Sequence, residues 1–278
     1  MTEEKRTYWD AETYEKIGTP MRGWAQQVID DLGLKGNETV LDAGCGSGSV
    51  TLDLWEKLPK GKIYAVDGSP QMIEKLKRTL AERGIENIVA LQSDLTKLQL
   101  TEQVDIVFSN AVFHWIPDDD GLFGSLARAA KSGGRLRAQC GGAANIKRLM
   151  SATRDVEARE PYAVHLRGRV ETRKYRTSEQ AREALERNGW RDVRAETFES
   201  PVTFGDTGSA VLYLRTIILQ QQAAALDLAV KASSEPGQPH PQSLSDRFLR
   251  DVVAEVEKRH GSPFVADYVR LDLWATRA

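Results

Sequence analysis

Between Glu38 and Cys140 the chain switches repeatedly between short apolar runs and amphipathic stretches, and no other feature limits its possible folds so strongly. Thr39 to Ala43 reads as a buried strand, short and closed by a glycine cluster. Ser49 to Leu58 reads as a helix stopped by Pro59 and Gly61. Lys62 to Val66 is the next strand. Ser69-Pro70 then supplies an N-cap with proline at the first helical position, and Gly84 marks that helix's far end. Ile88 to Gln92 and Val104 to Ser109 follow as strands, Asp119 to Ala130 as a helix closed by Ser132-Gly133-Gly134, and Arg135 to Cys140 as a fifth strand. Strand and helix alternating at this pace call for parallel strands joined by right-handed crossovers, an open doubly wound α/β sheet.

Beyond Gly142 the rhythm breaks. Asn145 to Arg159 has a helical pattern, and Pro161 to Arg176 is charged and irregular. Thr177 and Gln180 fit a capping box that opens a helix running to Asn188-Gly189. Asp192 to Phe198 reads as a strand, Gly208 to Lys231 as one long helix, Ser245 to His260 as another helix and Tyr268 to Thr276 as a final strand. The expected organisation is an N-terminal helical lid over residues 1–37, a core over 38–142, and over 143–278 the rest of the sheet with helical cap insertions.

Charge and cysteine content narrow the function. The 38 basic and 40 acidic side chains among 278 residues leave a formal net charge of -2. Nucleic acid and anionic membranes usually select a basic footprint, so neither is expected as a partner; a small molecule is. No run approaches the roughly 18 apolar residues of a membrane helix, and Met1 to Asp10 lacks an apolar secretion signal. Two cysteines, Cys45 and Cys140, make neither a disulfide framework nor a four-ligand zinc site, and no metal is expected. These features describe a soluble cytoplasmic protein. No heptad or other pattern indicates an oligomeric state.

The chemistry is concentrated in Val40-Leu41-Asp42-Ala43-Gly44-Cys45-Gly46-Ser47-Gly48. A glycine-rich turn between a first strand and a helix lets a ligand approach the backbone beside a helix N-terminus. In an open sheet that place lies at the carboxyl ends of the strands, next to the switch point. The dinucleotide fingerprint GxGxxG would need glycine at 49 counting from Gly44, and position 49 is serine. The spacing is GxGxG, with the acid Asp42 two residues ahead.

At these residues the chain resembles the class I S-adenosylmethionine-dependent methyltransferases. Asp42, Gly44, Gly46 and Gly48 match the family's first motif, with Cys45 a small residue tolerated in the turn. Asp67 stands at the tip of the second strand, where the family uses an acid; a carboxylate there accepts both ribose hydroxyls. Gly68 departs from the family's usual Asp/Glu-x-Ser pattern without disturbing Asp67, and Met72 follows on the next helix. Ser93-Asp94-Leu95 falls where the family places an acid near the adenine amino group, and Asn110-Ala111 where backbone touches the methionine part. The resemblance spans Thr39 to Gln139. It implies a Rossmann-like seven-stranded sheet, S-adenosyl-L-methionine as cofactor and methyl transfer as the activity.

The acceptor side rests on fewer residues. Phe113-His114-Trp115-Ile116-Pro117-Asp118 leaves the fourth strand beside the expected methyl group, and it resembles the same run in the trans-aconitate and juvenile-hormone acid methyltransferases, which act on carboxylates. The resemblance implies Trp115 as an indole donor to a carboxylate and His114 as a charged donor or base. Tyr8, Trp9 and Tyr14 make the N-terminal segment aromatic, and relatives fold such a segment over the site, so these three are substrate candidates with His114 and Trp115. Arg167, Arg169, Arg173, Lys174 and Arg176 form a basic run with two readings, a solvated face or a steering surface for an anionic acceptor. O-methylation of a carboxylate leads. The alternatives are C- or N-methylation of a terpenoid, quinone or amine, a noncatalytic protein that binds the same cofactor, and a dinucleotide-dependent oxidoreductase.

Overall fold

A computed structural model describes residues 19–169, 171–233 and 243–278, and the chain divides into two compact units. The expectations for Tyr8, Trp9 and Tyr14, and most of the 1–37 segment, lie outside the described residues.

The larger unit comprises 19–145, 172–198 and 269–278. Numbered along the chain, its strands are β1 (Thr39–Ala43), β2 (Lys62–Asp67), β3 (Ile88–Gln92), β4 (Val104–Asn110), β5 (Ala130–Gly141), β6 (Trp190–Glu199) and β9 (Val269–Arg277). They form one seven-stranded sheet in the order β3-β2-β1-β4-β5-β9-β6, a Rossmann-like arrangement that reverses direction between β1 and β4. Its helices are α1 (Thr19–Asp30), α2 (Ser49–Glu56), α3 (Pro70–Arg83), α4 (Asp119–Ala129) and α7 (Ser178–Arg187). The first five strands pair in parallel, as the alternating pattern requires.

β9, expected only as a final strand, runs antiparallel to β5. Its early residues Arg270 and Leu271 lie opposite Gly141 and Cys140, so the chain enters at the carboxyl end of β5 and runs back. A parallel strand would need a crossover returning the chain to the other end first, and periodicity within the strand carries no information about that.

Alternate residues of the central strands go to two cores. Leu41, Ala43, Val66 and Val107 join one with Phe113, Phe123 and Leu126; Val40, Ile63, Ile106 and Phe108 join the other with Val28, Leu54 and Leu76. Burial on both faces explains why these strands read as continuous apolar runs.

The helix ends follow their signals. Ser69 Oγ accepts from the Met72 N–H at 3.4 Å ahead of Pro70. In the capping box the Gln180 N–H donates to Thr177 Oγ1 at 3.1 Å, and the Thr177 N–H to Gln180 Oε1 at 3.0 Å.

The smaller unit holds α5 (Lys147–Glu157), α6 (Ala163–Leu166), a two-residue ladder of β7 (Val202–Thr203) with β8 (Val265–Ala266), and α8 (Thr207–Tyr213), α9 (Gln220–Ser233) and α10 (Leu244–His260). The single helix expected over Gly208 to Lys231 is instead α8, a π-turn over Leu214–Ile218 and α9. The Leu219 N–H reaches back to the Leu214 carbonyl at 2.7 Å. The widened turn keeps Leu214, Ile217 and Ile218 buried while Arg215 reaches Asp227 at 3.0 Å and Asp246 at 2.8 Å. Residues 161–176, expected to be irregular, include the single turn α6. Among the described residues no helix is long and apolar enough to cross a membrane.

Thr177→Ala is expected to lower stability by about 1 kcal/mol, the usual worth of such a cap, read as a shifted urea midpoint with an unchanged slope.

Candidate functional site

The carboxyl ends of β1 to β4 bring the glycine turn, the Asp67 turn, the Ser93 loop and the Asn110 loop to one edge of the sheet. The turn after β1 is drawn across to β2, where the Gly44 and Cys45 N–H groups both donate to the Val66 carbonyl at 2.8 and 3.0 Å. Gly44 has φ +92°, and a Cβ there would collide with Val112. Gly48, at φ +95°, begins α2, and a Cβ there would collide with Leu76. Both positions therefore require glycine on conformational and steric grounds.

Asp67 organises the edge. Its Oδ2 accepts from the Gly46 N–H at 3.0 Å and its Oδ1 from the Ser69 N–H at 2.8 Å. Each oxygen keeps a lone pair, so the carboxylate can take a diol while holding the loop. Burial raises its pKa, against the lowering effect of these two bonds. Beside it the Ser93 N–H donates to the Asp67 carbonyl at 3.0 Å, and the nearest atom to a Cβ on Gly68 would be the Ser93 carbonyl oxygen at 3.9 Å. Asp94 is exposed and caps a short turn, its Oδ1 accepting from the Thr96 N–H at 2.9 Å and Oγ1 at 2.8 Å.

Three predicted cofactor residues present little side chain to a ligand. Leu95 is buried in the core cluster with Phe123, Met72 is buried in the first turn of α3, and Cys45 is buried with its thiol pKa pushed well up, by burial first and then by Asp42 and Asp67. Asp42 also faces inward. It is 2% exposed and its Oδ2 accepts from Thr51 Oγ1 at 2.7 Å. Burial, with a smaller contribution from Asp67, pushes its pKa up to about 7 against the lowering effect of Thr51. The sequence motif therefore marks this acid as a buried support of the loop, and Thr51, which no pattern singles out, is its partner.

At β4 the chain makes a sharp exit. Ala111 has φ +60° and its N–H donates to the Gln139 carbonyl at 2.7 Å. Asn110 Oδ1 is buried without a hydrogen-bond partner. An unspent buried acceptor at this edge of the sheet fits a ligand bearing an ammonium group.

His114 is 8% exposed, and its Nδ1 accepts from the Gly141 N–H at 3.2 Å. Its pKa lies well below the ordinary imidazole range, through burial first and then the charges of Arg270, Arg173 and Arg176. The ring is thus neutral, and with Nδ1 used as an acceptor its proton sits on Nε2. Trp115 lies 5.4 Å from the His114 ring and Tyr175 stacks on it at 5.7 Å. Tyr175, Gly141 and Arg176 complete this corner; only Arg176 belongs to a run visible in the sequence.

The basic run splits. Arg167 and Arg169 belong to the smaller unit, where Arg169 bonds Gln221 Oε1 at 3.3 Å. Arg176 is buried, donating to Asp119 Oδ1 at 2.7 Å and to the Phe113 and Ile116 carbonyls at 2.8 and 2.6 Å. Lys174 Nζ bonds Asp119 Oδ2 at 2.8 Å.

A glycine turn and an acid at the carboxyl edge of the sheet, next to the switch point, place these residues where open α/β sheets bind ligands. The chain belongs to the family described as Methyltransferase domain, which matches residues 34–189, more than half its length. It is 31% identical over 131 residues to a trans-aconitate 2-methyltransferase of Azoarcus sp., covering 47% of this chain and 50% of that protein. It is 32% identical over 129 residues to a malonyl-acyl-carrier-protein O-methyltransferase of Acetivibrio thermocellus, covering 46% of this chain and 44% of that protein. These matches span about half the length of the curated relatives. In fold the chain is similar to a phosphoethanolamine N-methyltransferase 2 from Haemonchus contortus solved with S-adenosylhomocysteine, with TM-score 0.60, 16% identity, and coverage of 95% of this chain and 56% of that one.

The Asp42 pKa, raised well above that of an unfolded aspartate (about 3.9), has a definite consequence for stability. Relative to Asn at this position, the acid contributes stability that is full below about pH 4 and lost as pH rises through about 7. Asp42→Asn should therefore match the parent near pH 4 and exceed it at pH 8, by at most about 4 kcal/mol, in urea denaturation at the two pH values.

Proposed function

We propose that this chain is an S-adenosylmethionine-dependent methyltransferase that esterifies a carboxylate of a small molecule. The observation that carries the choice of acceptor is the state of His114, a neutral ring whose Nδ1 is occupied by the Gly141 N–H and whose Nε2 is left as a donor. A phenol or an ammonium must lose a proton to become a nucleophile and needs a base near it. A carboxylate is already ionised, and a neutral N–H donor positions it without taking a proton.

Asp67 holds the ribose hydroxyls, the Gly44–Gly48 turn and Asn110 Oδ1 hold the methionine part, and the Asp94 oxygen left free by its turn receives the adenine amino group. S-adenosylmethionine, when bound, supplies a methyl carbon on a positively charged sulfur, so a carboxylate oxygen displaces a neutral thioether and becomes a methyl ester, releasing no proton. His114 Nε2–H and the Trp115 indole N–H fix the direction of that oxygen, and such alignment is worth roughly 7–11 kcal/mol of a barrier. Burial favours this chemistry, since opposite charges cancel as the new bond forms. The names of both relatives point to acid acceptors, which supports the same reading.

Three measurements test it. With acid, phenol and amine panels, S-adenosylhomocysteine should form with acids, and a pH-stat at pH 8 should record no proton released per turnover. Turnover of a phenol or amine in preference to every acid, with stoichiometric proton release, would overturn the reading. With an acid acceptor kcat should stay flat from pH 6 to pH 9, because no side chain has to titrate in that window for the oxygen to attack. Asp67→Ala should abolish S-adenosylhomocysteine binding in calorimetry, and unchanged binding would remove Asp67 from the ribose site.

A further inference from the structure

We infer that Gln139 is a positioning residue for methyl transfer: its buried side chain locks the tip of β5, and that tip holds the loop from Ala111 to His114 at both ends. The inference rests on the reading above that His114 directs the acceptor oxygen, and adds to it what directs His114.

Gln139 stands where the sheet narrows. It pairs with Asn110, the last residue of β4, on one side and with Asp272 of β9 on the other. Beyond that last β4 pair, Cys140 and Gly141 continue along β9 opposite Leu271 and Arg270. A tip flanked in this way has one ladder to fix it in place of two.

The same tip carries the loop that follows β4. The Gln139 carbonyl accepts the Ala111 N–H at 2.7 Å, and two residues on the Gly141 N–H donates to His114 Nδ1 at 3.2 Å. Ala111 has φ +60°. Left-handed backbone is costly for alanine and persists only where the surroundings hold it, so the position of the Gln139 carbonyl sets the exit of the chain from β4. The Gly141 amide then sets the ring of His114. Both bonds move if the tip moves.

The side chain of Gln139 supplies the lock. It is 1% exposed; its Oε1 accepts from Arg270 Nε and Nη2 at 3.1 and 3.0 Å, and its Nε2 donates to Asp272 Oδ1 at 2.7 Å. On one face of an antiparallel pair a side chain meets its direct partner and the diagonal neighbours, and Asp272 and Arg270 are two of these. Both are anchored further on. Asp272 Oδ2 accepts from Arg137 Nη2 at 3.2 Å, and the Arg270 guanidinium carbon lies 4.5 Å from the Trp24 ring centre. A satisfied buried polar network rigidifies its surroundings and specifies one arrangement. The glutamine amide gives the cation an acceptor and the carboxylate a donor at once; glutamate lacks the donor, and methionine lacks both.

The test uses the full chain with 15N-labelled histidine rings, the His114 signals being identified by their loss in His114→Gln. The parent is expected to show a single tautomer with the proton on Nε2. Gln139→Met should shift the Nδ1 signal toward that of an unbonded nitrogen or add a second tautomer. It should also lower kcat by about 10- to 100-fold with the best acid of the panel, leaving KM and S-adenosylhomocysteine affinity within about threefold of the parent. Gln139→Glu, which keeps the acceptor for Arg270, should show the same changes in smaller degree. Leu136→Ala opens a cavity in the same strand toward the other face; it should lower the melting temperature while leaving the ring signals and kcat alone. Parent-like ring signals in Gln139→Met, or equal changes in Leu136→Ala, overturn the inference alone. A kcat unchanged by His114→Gln overturns the reading of His114 and the inference with it.

Discussion

A single buried guanidinium organises the loop that follows β4. Arg176 donates to two carbonyls of the loop after β4 and to Asp119 at the start of the following helix. Removing a partner from such a buried pair commonly costs about 3–5 kcal/mol, because the remaining charge and acceptors are stranded. Here the consequence is also geometric. The same contacts set the path of residues 113–116, and so the height of His114 and Trp115 above the sheet's edge. A buried charge is an expensive way to hold a loop, and it is specific where an apolar contact would let the loop slide.

The cofactor side is built by other means. Its acids have separate tasks: Asp67 holds the Gly46 and Ser69 amides with lone pairs to spare, Asp42 supports the turn from below through Thr51, and Asp94 caps its own turn. Under the proposed reading, ligand recognition and loop architecture use the same atoms. The geometry needed by a nucleoside is thus largely in place within the fold, in keeping with most small-molecule sites.

Much of this was legible in the sequence, for local reasons. The strands β1 to β5, the Ser69 and Thr177 caps and the glycine turn follow from periodicity, capping chemistry and positive φ, all properties of a few consecutive residues. The parts that escaped depend on distant partners. The direction of β9 is set by where the chain re-enters the sheet, which Val269 to Arg277 alone does not encode. The Gly141 amide that donates to Nδ1 of His114 comes from 27 residues away, and the arginine charges that help lower the ring's pKa come from Arg173, Arg176 and Arg270, also distant in sequence. The basic run looked uniform because five cations look alike in sequence; burial singles out Arg176. The π-turn over Leu214–Ile218 interrupts a stretch whose apolar spacing fits an unbroken helix.

The atoms that fill the space over Gly44 belong to Val112, two residues ahead of His114. The glycine turn after β1 and the loop that carries His114 therefore pack directly against each other. Any adjustment of the first loop on loading is transmitted to the second through one isopropyl group. A shorter side chain at 112 would remove that contact and let the two loops settle independently.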